Sequence, residues 1–138
     1  MMGQPIDVPP HFNTFLAFDF GHKRTGVAVG NRMLRSATPQ ATIQAEGSDA
    51  RLAAAELRVR EWQPDALVVG VPFHPDGASH DNTARARKFG RQIGARTKLR
   101  VFEVDERYST TEAASAGAAD RDAGAACIIL EQFLRSLP

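Results

Sequence analysis

The sequence feature that most constrains the fold is the unbroken apolar run Ala66–Val71, near the middle of the chain. No residue in it carries a polar side chain, so neither face of such a strand can be turned toward water. A strand of this kind belongs inside a sheet that is covered on both faces. Apolar residues at helical spacing occur before Gln63 and after Asn82. The run therefore predicts an α/β fold with helices packed on a sheet.

The other elements follow from the same kind of pattern. Strands are predicted at residues 15–20, 26–31, 37–43 and 99–104, the first two joined by a glycine-rich turn. Helices are predicted between Gly47 and Gln63, from Asn82 to about Arg96, and from residues 120–123 onward. The order β-β-β-α-β-α-β-α predicts a mixed five-stranded sheet flanked by helices, with the first three strands antiparallel.

At 138 residues the chain is predicted to form one domain, residues 14–138, preceded by a flexible N-terminal arm, residues 1–13. The arm is proline-containing, has no apolar periodicity and lacks the pattern of a signal peptide. No apolar run approaches the roughly 20 residues that span a bilayer. The single cysteine, Cys127, excludes an internal disulfide. We therefore expect a cytoplasmic protein without membrane association.

Asp19 interrupts an otherwise apolar strand pattern. A carboxylate in such a position loses hydration, and that loss needs compensation. The usual compensation is a metal ion or a phosphate-bearing ligand, so Asp19 indicates phosphate chemistry. The alternative is a purely structural buried aspartate.

Further acids lie where elements end or begin. Asp105 and Glu106 close the last predicted strand, and Asp122 opens the last helix. Mg²⁺ prefers carboxylate oxygens, and two ions about 3.5–4 Å apart can stabilise both reacting oxygens of a phosphodiester displacement. Each acid also has a structural explanation. Asp122 could cap the helix, alone or with Asp120, and either Asp105 or Glu106 could pair with Arg107.

Positive charge is concentrated in one segment, although the formal net charge is only +1. Such a block can contact a phosphate backbone, whereas the alternative is a solvated helix face. Between Arg85 and Arg100 there are seven cations and no acid: Arg85, Arg87, Lys88, Arg91, Arg96, Lys98 and Arg100.

Several motifs, taken in chain order, resemble those of the YqgF/RuvX family, the RuvC-like branch of the RNase H-like superfamily. Together the matches cover about residues 15–135. They are the Asp-Phe-Gly-His-Lys-Arg-Thr-Gly segment from Asp19, the Val-Gly-Val-Pro segment from Val69, the basic helix from Thr83, the Asp-Glu-Arg-Tyr-Ser-Thr segment from Asp105, and the small-residue helix from Asp122.

The resemblance implies an RNase H-like fold and a metal-dependent nuclease that uses Mg²⁺ or Mn²⁺. It implies that Asp19, Asp122 and one or both of Asp105 and Glu106 bind the metal, and that Asp19, Glu106 and Asp122 are the catalytic acids. Glu106 is preferred because strand alternation lets only one of the two adjacent acids face the site. The nucleic-acid contacts that we predict are Lys23, Arg24, Arg85, Arg87, Lys88, Arg91 and Arg107.

Family members are associated with maturation of the 5′ end of the 16S ribosomal RNA precursor, which makes RNA the first expected substrate and partner. Branched DNA, cut in the manner of a Holliday junction resolvase, is the second. A non-catalytic RNA-binding module and an ATP-binding protein of the actin and sugar-kinase type are further alternatives, although the latter needs two such domains. The chain is expected to be a monomer or a homodimer.

Overall fold

The computed structural model describes residues 8–21, 23–73, 76, 78, 82–105 and 121–138. The described strands are β1 (Thr14–Asp19), β2 (Arg24–Asn31), β3 (Ser36–Gln44), β4 (Ala66–Val71) and β5 (Val101–Asp105). The described helices are α1 (Ser48–Trp62), α2 (Thr83–Thr97) and α3 (Arg121–Arg135). Their order along the chain is the one that the apolar patterns predict.

The five strands form one sheet in the order β3-β2-β1-β4-β5. β2 pairs antiparallel with β1 and with β3, whereas β4 pairs parallel with β1 and with β5. The predicted mixed sheet, with its first three strands antiparallel, is therefore confirmed. All six residues of β4 are buried between β1 and β5, as its apolar run predicts.

Strand alternation divides the side chains of the sheet between two apolar cores. On the α1/α2 face, strand residues pack against helices α1 and α2; they include Leu16, Phe18, Val27, Leu67 and Val69. On the α3 face, strand residues pack against helix α3; they include Phe15, Ala17, Ala28, Ala66 and Val68. Within the described chain, no helix has both the length and the apolarity needed to cross a membrane.

Two helices end in a left-handed residue. α1 ends at Trp62, and the Gln63 N–H donates to the Val59 carbonyl at 2.8 Å with φ 46° at Gln63. Pro64 follows and cannot continue the helix, as expected. α2 runs to Thr97 before Lys98 turns left-handed with φ 59°, so the helix is slightly longer than predicted. The next strand therefore begins later than predicted, at Val101 rather than Leu99.

Residues 8–13, in the second half of the predicted N-terminal arm, contact the domain. Val8 is 7% exposed and belongs to the core on the α3 face. The Arg32 guanidinium donates from Nη1 to the carbonyls of Pro9 and Phe12, at 2.9 and 3.3 Å. These tertiary contacts hold residues 8–13 against the domain, although no periodic apolar pattern in this segment predicts them. Residues 1–7 lie outside the described residues.

Hydrogen bonds of Asp65 link the start of β1 to the start of β4. Its Oδ2 accepts the N–H groups of Asn13 and Thr14 at 2.7 and 2.9 Å, and its own N–H donates to the Thr14 carbonyl at 2.8 Å. These bonds support the parallel register between the two strands. In that register the last residue of β1, Asp19, lies beside Gly70 of β4.

Candidate active site

Asp19 is the last residue of β1 and is half-buried. It follows Phe15 and Ala17 at the strand period of two, so it belongs to the α3 face. Its antiparallel neighbour is Gly26 on β2, and its parallel neighbour is Gly70 on β4. Both of these directly paired residues are glycines, which have no side chain.

Gly26 allows the first turn of α3 to approach this end of the sheet. A Cβ atom at position 26 would overlap the backbone carbonyl of Asp122 and crowd the Ala123 nitrogen. Directly opposed residues of an antiparallel pair share one face, so the same contact places Asp122 next to the position of Asp19. The backbone positions of the two predicted acids, which are far apart in sequence, are thus close together at one end of the sheet.

Arg24 connects β2 to the same helix turn. Its Nε lies 2.8 Å from Oδ2 of Asp122, with the two side chains 52% and 34% exposed. Asp122 lies one residue inside α3, where its negative charge also interacts favourably with the helix dipole. The ion pair therefore orients the carboxylate and brings one of the predicted phosphate contacts to the site. Asp120, the other predicted capping residue, lies outside the described residues.

The two acids at the end of β5 are separated by strand alternation. Phe102 and Val104 pack with the α3-face core, whereas Val101 packs with the other core. Asp105, which pairs with Val71 of β4, is therefore on the α1/α2 face, opposite to Asp19. The described strand thus gives Asp105 no support as a ligand beside Asp19. Alternation favours Glu106, which lies outside the described residues, and its role remains a prediction.

The donor atoms that the structure does describe suit a hard divalent cation. Asp19 and Asp122 supply carboxylate oxygens, which Mg²⁺ and Mn²⁺ prefer over sulfur ligands. Among the described residues, no group of three His, Cys, Asp or Glu side chains is placed to hold a metal ion. The third predicted ligand, Glu106, is not among the described residues. The chemistry of the described pair fits such an ion.

The predicted nucleic-acid contacts fall into two groups. Lys23 is exposed in the turn that leads to Arg24, at the carboxylate end of β1. The basic helix α2 instead packs on the opposite face of the sheet. Arg107 lies outside the described residues. The predicted contacts on α2 are all exposed: Arg85, Arg87, Lys88 and Arg91.

The four predicted contacts on α2 lie on two sides of the helix. Arg85 and Lys88 line a cavity that is shared with α1. Arg87 forms an ion pair with Glu103 on β5 at 3.3 Å and lies over the ring of Phe73, 5.3 Å from its centroid. Arg91 lies along the same β5 side of the helix. Only the first pair therefore faces a concave surface with no acid in its lining.

Arg51 is a buried cation that the sequence patterns above do not single out. It is 6% exposed, and its guanidinium carbon lies 4.6 Å from the centroid of the Phe20 ring. The position of Arg51 in the sequence indicates this burial, because Arg51 lies four residues, or about one helical turn, before the buried Ala55. A basic residue on the apolar stripe of a helix could thus have been recognised from the sequence.

Comparisons with known proteins agree with this geometry. A family model described as "RuvX: Holliday junction resolvase" matches residues 13–136. A protein of Polaromonas sp. is 77% identical over 91% of this chain and 90% of its own, and one of Albidiferax ferrireducens is 68% identical over 96% of this chain and 85% of its own. Both carry the name "Putative pre-16S rRNA nuclease".

Solved structures show the same fold at low sequence identity. The RuvC of Thermus thermophilus in complex with a Holliday junction substrate has a TM-score of 0.56 at 14% identity, over 90% of this chain and 94% of that one. The fowlpox virus Holliday junction resolvase has a TM-score of 0.60 at 10% identity, over 90% of this chain and 99% of that one. The sheet order and the family match point to the same conclusion, which is that this chain belongs to the RuvX family.

Proposed function

We propose that this chain is a nuclease that hydrolyses phosphodiester bonds in the precursor of 16S ribosomal RNA, at its 5′ end. The proposal draws its substrate from the names of the Polaromonas and Albidiferax relatives, which match more than nine-tenths of the chain. It places the protein in the cytoplasm, where ribosome assembly occurs in bacteria. We propose a monomer or a homodimer as the working form.

The observation that carries the catalytic part of the proposal is the approach of Asp122 to Gly26, the strand partner of Asp19. It brings the backbone positions of the two acids together at one end of the sheet. We propose that Asp19, Asp122 and Glu106 hold Mg²⁺ or Mn²⁺ and are the catalytic acids. Such ions, when bound, make the attacking water easier to ionise and stabilise the leaving oxygen.

The remaining roles belong to the side chains around the acids. Arg24 holds Oδ2 of Asp122 at 2.8 Å, so it orients one carboxylate and lowers its freedom to rotate away. Lys23 is exposed next to it and is placed to attract the phosphate backbone. Arg107 is proposed to contribute in the same way from the segment that follows β5.

Cleavage of branched DNA is the second candidate function. It is favoured by the description of the family model and by the likeness to the T. thermophilus RuvC bound to a Holliday junction substrate. The same carboxylates would serve both substrates, because the bond that is cleaved is a phosphodiester in each case. A precursor RNA and a four-way DNA junction, assayed side by side, distinguish the two.

The test of the proposed function is the variant Asp19→Asn. We expect it to lose at least about 100-fold in cleavage of precursor RNA with Mg²⁺ or Mn²⁺, because it removes a carboxylate charge that is proposed to hold the cation. Glu61→Gln is the matched control, since it removes one carboxylate charge from an exposed position on α1. Equal cleavage by the two variants in pure preparations would reject the proposal.

A further inference from the structure

A cavity of about 230 Å³ lies between the first turn of α1 and the first turns of α2, away from the carboxylates described above. Three of its lining residues are cations and none is an acid. The polar side chains that line it are Ser48, Arg51, Arg85, Lys88 and Gln92, and the aromatic ones are Phe20 and Phe89. A concave surface with this charge favours an anionic ligand.

Arg51 is the fixed part of this cavity. It lies over the ring of Phe20, an arrangement that holds the planar guanidinium in one orientation. Burial lowers the pKa of Arg51 below the ordinary arginine value, although a guanidinium stays protonated in proteins. A guanidinium held in one orientation can present paired N–H donors to an anion.

Arg85 and Lys88 form the exposed part of the cavity lining. They are three residues apart on α2, so they lie on one side of the helix. The Nη1 of Arg85 contacts the Asn82 Oδ1 at 3.3 Å, which keeps the Arg85 side chain near the start of α2. Two long cations can therefore approach a ligand held by Arg51 from the opposite wall.

The start of α1 adds to the positive field. Gly47 stands at its N-cap position and has no side chain with which to satisfy the first N–H groups of the helix. The positive end of the helix dipole therefore lies at the rim of the cavity. The exposed Asp49 in the same turn offsets part of this field, but it is not among the lining residues.

The volume restricts the class of ligand. Sites that enclose a whole small molecule measure roughly 300–1,000 Å³, so this cavity suits one anionic group rather than a complete nucleotide cofactor. A phosphate accepts hydrogen bonds on several oxygens, and guanidinium groups recognise it with paired N–H donors. One phosphate group therefore fits both the size and the donors.

The position of the cavity indicates which phosphate it receives. Phe20, on its wall, directly follows Asp19 along the chain. Alternation places Asp19 on the α3 face and Phe20 in the core of the α1/α2 face, at the same end of β1. A nucleic-acid strand that crosses this end of the sheet would thus pass from the carboxylates to the cavity.

We propose that the cavity between α1 and α2 binds a backbone phosphate of the substrate strand, next to the bond that is cleaved. The identity of the strand rests on the proposed function. The cavity adds Arg51 and Ser48 to the contacts of the basic helix and gives Arg85 and Lys88 a role that Arg87 and Arg91 do not share.

The experiment measures binding in EDTA, so that it does not depend on cleavage. The variant Arg85→Gln/Lys88→Gln changes two exposed side chains, which preserves the fold. The control Arg58→Gln/Arg60→Gln removes the same charge from the other half of α1. The probe is a short fluorescein-labelled single-stranded RNA, and its anisotropy is followed at several salt concentrations.

We expect the cavity variant to lose about tenfold in affinity, the size of a 1.4 kcal/mol change. The slope of log K against log salt should fall by about 0.7, the value of one lost phosphate contact on a single strand. The control should keep the slope of the unmodified protein. Equal affinities and equal slopes in the two variants would overturn the inference, whatever the cleavage assay shows.

Two further measurements separate the phosphate site from the proposed function and from a nucleotide site. If unmodified protein fails to cleave precursor RNA while the binding difference remains, the proposed function fails and the phosphate site stands. Adenosine monophosphate should displace the RNA only far above the RNA Kd. Displacement at equal concentration would assign the cavity to a free nucleotide and overturn the inference.

Discussion

The backbone carbonyl of Asp122 occupies the space into which a side chain at Gly26 would project. This contact sets α3 against β2 at the level of Asp19, because Asp19 and Gly26 are strand partners. The position of the candidate site thus depends on the absence of a methyl group from one strand residue. The glycine is required for close approach and not for an unusual backbone conformation.

The substitution Gly26→Ala tests this dependence. Its methyl group would overlap backbone atoms, which cannot rotate away, so the first turn of α3 must move. We expect a loss of about 1–3 kcal/mol in the free energy of unfolding, together with loss of cleavage. Urea denaturation and the cleavage assay provide the two measurements.

The matched control is Gly90→Ala in α2. Its added carbon would have ordinary contacts, with Val101 Cγ1 at 3.5 Å and Val69 Cγ2 at 3.7 Å. Replacement of a helical glycine by alanine should therefore stabilise the protein, by about 0.5–1 kcal/mol. Equal effects of the two substitutions would contradict the described packing of α3.

The ion pair between Arg24 and Asp122 should matter more to activity than to stability. Both side chains are partly exposed, so Arg24→Gln should change the free energy of unfolding by less than about 1 kcal/mol. The same change frees the carboxylate to rotate and should lower cleavage about 10- to 100-fold. Arg60→Gln is the control, since it breaks the exposed pair with Glu56 on α1. A large loss of stability with unchanged cleavage would reverse the role assigned to Arg24.

The thiol of Cys127 should react slowly with alkylating reagents in the folded protein. Burial, with a smaller contribution from the charge of Glu131, raises its pKa from 9.0 to about 11. Because the thiolate is the reactive form, alkylation by iodoacetamide at pH 8 should be slower in the folded chain than in urea. The folded rate should rise steeply as pH approaches 11.

The same shift has a consequence for stability. The thiol ionises at a lower pH in the unfolded chain than in the folded protein. Its contribution to the free energy of unfolding is therefore full below about pH 9. That contribution is lost as pH rises toward about 11. In Cys127→Ala the fall in unfolding free energy over this range should be shallower. An identical pH profile in both proteins would contradict the environment assigned to Cys127.

Much of the fold could be predicted because it depends on local patterns. The buried run Ala66–Val71 predicted a strand inside the sheet, and Pro64 predicted the end of α1. The alternation of β5 is also enough to place Val104 and Asp105 on opposite faces of the sheet. These features depend on the period of a strand or helix and on the chemistry of single residues.

Other features depend on contacts between distant segments, which no local pattern encodes. Val8 and Phe12 are anchored because Arg32, far along the chain, donates to the backbone around them. The cations that line the cavity come from two helices. Arg51 is therefore recognised as a candidate anion-binding residue only when α2 is packed against α1. Sequence reasoning located the basic helix but could not distinguish its two sides.

The central claim is that Asp19 and Asp122 share a divalent cation site. The most direct measurement is anomalous X-ray scattering from crystals of the unmodified chain soaked in Mn²⁺. The account predicts an anomalous peak within ligand distance of both carboxylates, and no such peak in Asp19→Asn. A map with no peak beside these carboxylates, or with manganese bound equally well in the variant, would contradict it.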